Sequence, residues 1–288
     1  MIASYESVSR AVLNSMPYGA LLGLVTVGSV GAAVLTLYLV RRFFDQWRSS
    51  ADAEVIGGVS AMVLTLFALL LAFGIVTLYD ERRAAQGAVA QEAGALAVVE
   101  RNARELVELG VKPGDPTVQA AVKHYVRCVQ RVEFPAMQTG QPLEKVVSQP
   151  LGRVFAALRG YTPRNQAQTA FYQSAVAQLN EAVTQRRSRL QRVDTALPFA
   201  FGVLLILTSL VSVILTCFIK STGLSKQGDP HVAIEYVLVG SVAFVVAVGL
   251  LTALIFEFPF SGPLGISELP YRTLHGPGPP QFELSCRA

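Results

Sequence analysis

The sequence predicts an all-α integral membrane protein: four transmembrane helices as two hairpins, with a helical soluble domain inserted between helices 2 and 3. Three observations predict it. Apolar runs at residues 18–40, 55–79, 196–219 and 232–256, with charge only toward their ends, are each long enough to cross a hydrocarbon core, which takes about 20 residues. Only 15% of the residues are charged, against roughly 25% in an average soluble domain. Between the second and third runs, residues 80–195 carry apolar positions at helical rather than strand spacing.

The N-terminal segment, residues 1–17, is mixed and polar and leads into the first span, 18–40. That span is too long for a typical signal-peptide core, and Arg41-Arg42 close it without a small-residue cleavage site, so a retained helix is expected. Gly19, Gly23, Gly28 and Gly31 offer the small surface that lets helices approach closely in lipid. The loop from Arg41 to Glu54 holds Arg41, Arg42, Arg48, Phe43, Phe44 and Trp47, residue types suited to the water–lipid boundary, and its shortness makes spans one and two a hairpin.

The second span, 55–79, runs on through Asp80-Glu81-Arg82-Arg83 with no proline before Pro113, so one continuous rod is expected to leave the membrane and enter the insert. Within the span, Leu66, Leu70, Phe73 and Thr77 share one helical stripe and Ala61, Thr65, Ala68 and Ala72 another. Beyond it, Val89, Ala93, Leu96, Ala103 and Val107 form a narrow apolar stripe interrupted at Glu100, which fits packing within a bundle better than a dedicated coiled coil.

Asp115 as cap and Pro116 at the first helical position would restart the chain. Val118, Ala121, Val122, Tyr125, Val126, Val129 and Val132 then make the clearest amphipathic face in the sequence. After a polar loop from Gln138 to Pro150, a short helix is expected at 151–159. Thr162 and Pro163 would then cap and open a long helix over 164–193 that returns the chain to the membrane. Its last turns carry Arg186, Arg187, Arg189 and Arg192, a candidate lipid-facing basic cluster at about 1 kcal/mol per residue near an anionic surface. Spans three and four, 196–219 and 232–256, form the second hairpin, with Lys220 and Lys226 in the loop between them. Residues 257–274 form a segment marked by Pro259, Phe260, Ser261, Gly262 and Pro263, of which Glu257 to Leu264 is rich in Pro and Gly and cannot continue as helix. Residues 275–288 read as a disordered tail.

Chemistry-bearing motifs are sparse. Cys128, Cys217 and Cys286 lie far apart and point to neither a disulfide framework nor zinc. His124 and Cys128 are four residues apart, but no further ligand is spaced beside them. With no phosphate-binding glycine loop, nucleophile motif or carboxylate–histidine cluster, no enzyme activity and no cofactor is expected. The net charge of +4 comes without a basic run interleaved with aromatics, which argues against nucleic acid as a partner.

Several separated stretches resemble a family of bacterial bestrophin-like membrane proteins. They are Glu54-Val55, Tyr79-Asp80-Glu81, Phe134-Pro135-Ala136-Met137, Leu179-Asn180-Glu181 through Arg186-Arg187, and the most specific, Pro259-Phe260-Ser261-Gly262-Pro263. The resemblance implies a multi-pass protein of the bacterial inner membrane. By analogy with bestrophins, it also implies a homo-oligomeric ion channel, a ring of five subunits in which the second membrane helix lines the pore. Leu66, Leu70, Phe73 and Thr77 are then the candidate constriction, an apolar ring of the kind that gates by dewetting. The acidic residues are too scattered to converge on calcium, so calcium gating is not expected. The alternative is a non-conducting scaffold or sensor whose insert binds a partner or anionic lipid. Arginines near the span ends on the side of the termini and insert outnumber the basic residues of the two short loops, which favours a cytoplasmic insert and termini.

Overall fold

The computed structural model describes residues 2–43, 53–112, 117–141, 148–193, 197–219 and 230–274, together with Cys286. These residues form helices, turns and irregular segments, with no strand among them. In chain order the helices are α1 (Ile2–Ser15), α2 (Tyr18–Phe43), α3 (Ala53–Glu108), α4 (Val118–Cys128), α5 (Phe134–Thr139), α6 (Ser148–Arg159), α7 (Gln166–Gln191), α8 (Phe199–Phe218), α9 (Pro230–Glu257) and α10 (Leu269–Arg272). Four of the described helices, α2, α3, α8 and α9, have the length and composition to cross a membrane. The fold class is therefore all-α, an integral membrane protein.

Helix α3 organises the chain. It runs unbroken for 56 residues, about 84 Å at 1.5 Å per residue, which exceeds a roughly 30 Å hydrocarbon core by more than half its length. Its first half packs on α8 and α9, and its second half packs on α7 along the largest helix–helix contact among the described residues. In the membrane half, Phe67 meets Leu205 of α8 and Val246 of α9, while α2 closes on α9 through Ala33, Leu37, Val239 and Ala243. A Cβ added at Gly249 of α9 would lie 2.5 Å from Leu71, so glycine there is what lets α9 approach α3. The glycines expected to serve that purpose in the first span, Gly19, Gly23, Gly28 and Gly31, have nothing of this chain within 4 Å of such a Cβ.

In the insert, Val89, Leu96, Val99 and Leu106 of α3 join Val122, Tyr125 and Val126 of α4, Val154 and Leu158 of α6, and Ala175, Leu179 and Ala182 of α7 in one core. The α3 stripe ends on Leu106, which is buried, and not on Val107, which is exposed. The caps also differ from expectation. Helix α4 starts on Thr117, whose hydroxyl accepts from the Ala120 amide; Asp115 and Pro116 lie outside the described residues. Helix α7 is capped by Asn165, which accepts from the Gln168 amide at 2.8 Å, while the Gln168 side chain accepts from the Arg164 amide. Thr162 and Pro163 stay in the preceding loop. In both helices a short polar side chain nearer the apolar run, by two residues at Thr117 and three at Asn165, accepts from a free amide of the first turn.

Between α4 and α5 the helix widens to a π-turn at Val129–Glu133. Pro135 explains it: its ring crowds the carbonyl four residues back and it has no N–H to donate, so the ladder shifts and the Phe134 amide bonds the Val129 carbonyl five residues back. The shift turns Glu133 into the core, where it is 1% exposed. Gly140, with φ 71°, then ends α5 in the left-handed region.

Candidate functional site

A buried charge cluster lies where α3, α7 and the π-turn meet. Arg189 of α7, with no exposed surface, donates from Nε to Glu92 Oε2 at 2.8 Å and from Nη2 to Glu133 Oε2 at 2.5 Å. Arg186 donates to the other oxygen of Glu133 at 2.6 and 3.0 Å. Tyr125 of α4 donates to Glu92 Oε1 at 2.5 Å. Two carboxylates thus face two guanidiniums, and the cluster is neutral as a unit. The pairing is needed, since an unpaired ion in such an interior costs several kcal/mol.

The electrostatics follow from burial and partners. Burial alone would pull the Arg189 guanidinium down, but Glu92 and then Glu133 outweigh it and hold it well above its ordinary range. The balance at Arg186 is the same in kind, with Glu133 the dominant partner. Burial, then Glu92 and Glu133, push the Tyr125 hydroxyl well above the usual tyrosine value, and burial followed by Glu92 does the same for Tyr271.

The sequence motifs converge on this cluster from the membrane side. Phe134 sits under the Arg189 guanidinium at 5.7 Å and meets Phe260 and Tyr271 edge-on at 6.1 and 6.0 Å. The Ser261 hydroxyl donates to the Gln138 carbonyl at 2.8 Å. The Gly262 amide donates to Asn14 Oδ1 at 2.7 Å, and Asn14 returns a bond to the Gln138 carbonyl at 3.0 Å. Arg10 of α1 reaches the Met137 and Val193 carbonyls at 2.9 and 2.7 Å and lies over the Phe258 ring at 4.8 Å. Pro259, Phe260 and Ser261 are buried, whereas Pro263 is exposed. Gly262 has φ 77°, a conformation that side chains resist. Where α3 emerges from its apolar half, Arg82 donates to the Leu264 carbonyl and Glu81 pairs with Arg192 at 3.2 Å. The N-terminal helix, the insert and the PFSGP loop are therefore stitched together around one point of the rod.

This placement corrects the lipid-facing assignment of the arginines. Arg189 is sealed in the core, Arg186 is held by Glu133 and Arg192 pairs with Glu81, which leaves Arg187 as the exposed member. A run of arginines at a helix end has no signature that separates a surface patch from a buried pair. The missed residues were Glu92 and Glu133. Glu92 stands beside Ala93 and one turn from Val89 and Leu96, a charge in the middle of an apolar face, and that was the readable sign.

At the membrane level the candidate constriction lies on a face of α3 that this chain covers little. Leu66 and Phe73 are 51% and 64% exposed. Thr77 is exposed, its hydroxyl bonded back to the Phe73 carbonyl, and Leu70 leans on the Phe67, Leu205 and Val246 cluster. Ala68 and Ala72, on the other stripe, line an apolar groove of about 520 Å³ between α3 and α9.

The Bestrophin-like domain matches residues 27–271, from within α2 to α10. The chain belongs to the bestrophin-like family. No curated protein and no solved structure matches it. The matched region contains Glu92, Glu133, Arg186, Arg189 and the PFSGP loop, so the charge cluster lies within the family's domain.

A second site arises where the sequence showed only fragments. Cys286 is buried against Cys128 and bonded to it across a separation of 158 residues, with Cα atoms 5.5 Å apart. This overturns the reading of the cysteines as unrelated. It also fixes one residue of the supposed tail; the rest of 275–288 lies outside the described residues. The imidazole of His124 stands 3.9 Å from Cys128 Sγ.

Proposed function

We propose that this bestrophin-like membrane protein assembles as an oligomeric ion channel in a bacterial inner membrane. Helix α3 lines the pore, and Leu66, Leu70, Phe73 and Thr77 form its constriction. The observation that carries the reading is that one unbroken helix has two differently treated halves. The insert half is buried and clamped by Arg189, while the membrane half turns Leu66, Phe73 and Thr77 away from the rest of the chain. A face of large apolar side chains without a partner in its own subunit suits a ring in which copies of α3 surround a dewetting gate. The low charge within the spans agrees with a pore more than with a pump, which carries ionisable groups inside the membrane. The proposal includes no catalytic step and no cofactor. It takes a five-membered ring by analogy with bestrophins, and a cytoplasmic insert; Arg10 and Asn14 bind the insert, which favours the N-terminus on that same side.

The competing reading, a scaffold or sensor whose insert takes a partner or anionic lipid, draws less support from these arginines, because Arg186 and Arg189 are paired in the interior and Arg192 pairs with Glu81 at the surface. The deciding experiment is ion flux in liposomes reconstituted with purified protein, with the subunit number measured on the same preparation. The expected result is an oligomer that passes ions, with higher leak in Leu66→Ala and Phe73→Ala. A monomer without flux would sink the channel reading.

A further inference from the structure

His124, Cys128 and Cys286 have no part in the proposed pore, yet the fold gathers them. His124 and Cys128 are one turn apart on α4, and Cys286 arrives from the far end of the chain, so that one ligand atom from each lies within 4.8 Å of the others. An imidazole and two sulfurs form a set that soft or borderline metals select. Cys128 and Cys286 are 0% and 5% exposed, and His124 is half-buried. We propose that, when the Cys128–Cys286 bond is reduced, these three residues bind a zinc ion, and that oxidation of the pair closes the site.

The chemistry balances in two steps. A dithiol reductant attacks one sulfur and is itself oxidised to a disulfide, leaving Cys128 and Cys286 as two thiols. Zinc then replaces the two thiol protons, taking two thiolates and the neutral imidazole, with a water in the open fourth position. Cytoplasmic thiols are kept reduced while disulfides persist in oxidising compartments. Zinc would therefore be the resident state for a cytoplasmic insert. In either state residue 286 is tied to α4.

The site is independent of pore activity and is tested without flux. Purified full-length protein is titrated with Zn²⁺ alone, and with Co²⁺ as the spectroscopic probe, before and after reduction by a dithiol and removal of the reductant. The reduced protein should take up one metal per chain, with a thiolate-to-cobalt absorption band, and reoxidation by exchange with a small-molecule disulfide, itself reduced to two thiols, should expel it. The Cys286→Ser variant should bind at least about 100-fold more weakly, since loss of an outer-shell partner alone costs up to that factor. His124→Ala should also bind more weakly. Absence of the band in reduced wild-type protein would overturn the proposal. So would equal binding by wild type and Cys286→Ser, or uptake unchanged by oxidation. The wild-type comparison across redox states needs no variant to fold.

Discussion

Helix α3 passes through two solvents, and its halves are built by different rules. In the insert, Val89, Leu96, Val99 and Leu106 are fully buried, and its most buried ionisable residue, Glu92, is paired twice over. In the membrane half, Leu66, Leu69 and Phe73 are more than half exposed on the surface of the chain. Water drives apolar groups together, whereas lipid tails are as apolar as leucine and drive nothing. The insert half must therefore be covered by its own subunit, and the membrane half is left available to lipid or to other copies. The difference also says where a single substitution will be felt.

The largest effect is expected at the clamp. Arg189→Met leaves Glu92 in the core without a cationic partner and Glu133 with Arg186 alone, and should cost about 3–5 kcal/mol, read as a lowered unfolding temperature of the detergent-solubilised protein. Arg189→Lys should recover only part of that loss, because an ammonium cannot reproduce the forked donors. A fully stable Arg189→Met protein would show that the cluster is not a clamp.

The same chemistry applied to the two halves gives the sharpest contrast. Leu96→Ala should cost about 2–5 kcal/mol, whereas Leu66→Ala should stay within about 0.5 kcal/mol in a dispersed single chain. Equal losses in chemical unfolding would remove the distinction between the halves. At the PFSGP loop, Gly262→Ala should cost about 1–2 kcal/mol through its positive φ; the added Cβ would also crowd the Leu13 carbonyl at 3.3 Å. The smallest effect is expected from alkaline pH. Tyr125 and Tyr271 have raised pKa values when folded, so their contribution is intact below the unfolded value of about 10 and is lost as pH rises through the folded values. Unfolding temperature followed from about pH 9 upward should fall on this account, and Tyr125→Phe should flatten the fall; an unchanged slope in that variant would contradict it.

Membrane class and helical architecture were legible because lipid imposes a crude rule, about 20 apolar residues per span, that survives any detail of packing. The α4 face was legible too: Val118, Ala121, Val122, Tyr125, Val126 and Val129 are all buried, with Val132 half-buried against the same core. The PFSGP loop stood out by composition, but what it docks on did not, since Ser261 and Gln138 are 123 residues apart. The pairing of Glu92 with Arg189 spans 97 residues and depends on a π-turn that aims Glu133 inward beside them. No periodicity carries that information. Choices between Asp115 and Thr117, or Thr162 and Asn165, turn on which side chain meets the first free amides, a difference of two or three residues that composition does not resolve. Cys128 and Cys286 come together only through tertiary structure, across a separation of 158 residues.

In the proposed channel the insert cluster and the Leu66, Leu70, Phe73 and Thr77 stripe sit on one unbroken helix, so α3 is expected to couple the two. Gln86 is exposed on α3 between the two, and Gln86→Pro removes a helix hydrogen bond there without touching a span or the core. The direct measurement is liposome ion flux for wild type, Glu92→Gln, Gln86→Pro and the double variant. The account predicts that Glu92→Gln changes flux when the rod is continuous and adds nothing once Gln86→Pro has broken it. The same response to Glu92→Gln in both backgrounds would contradict it.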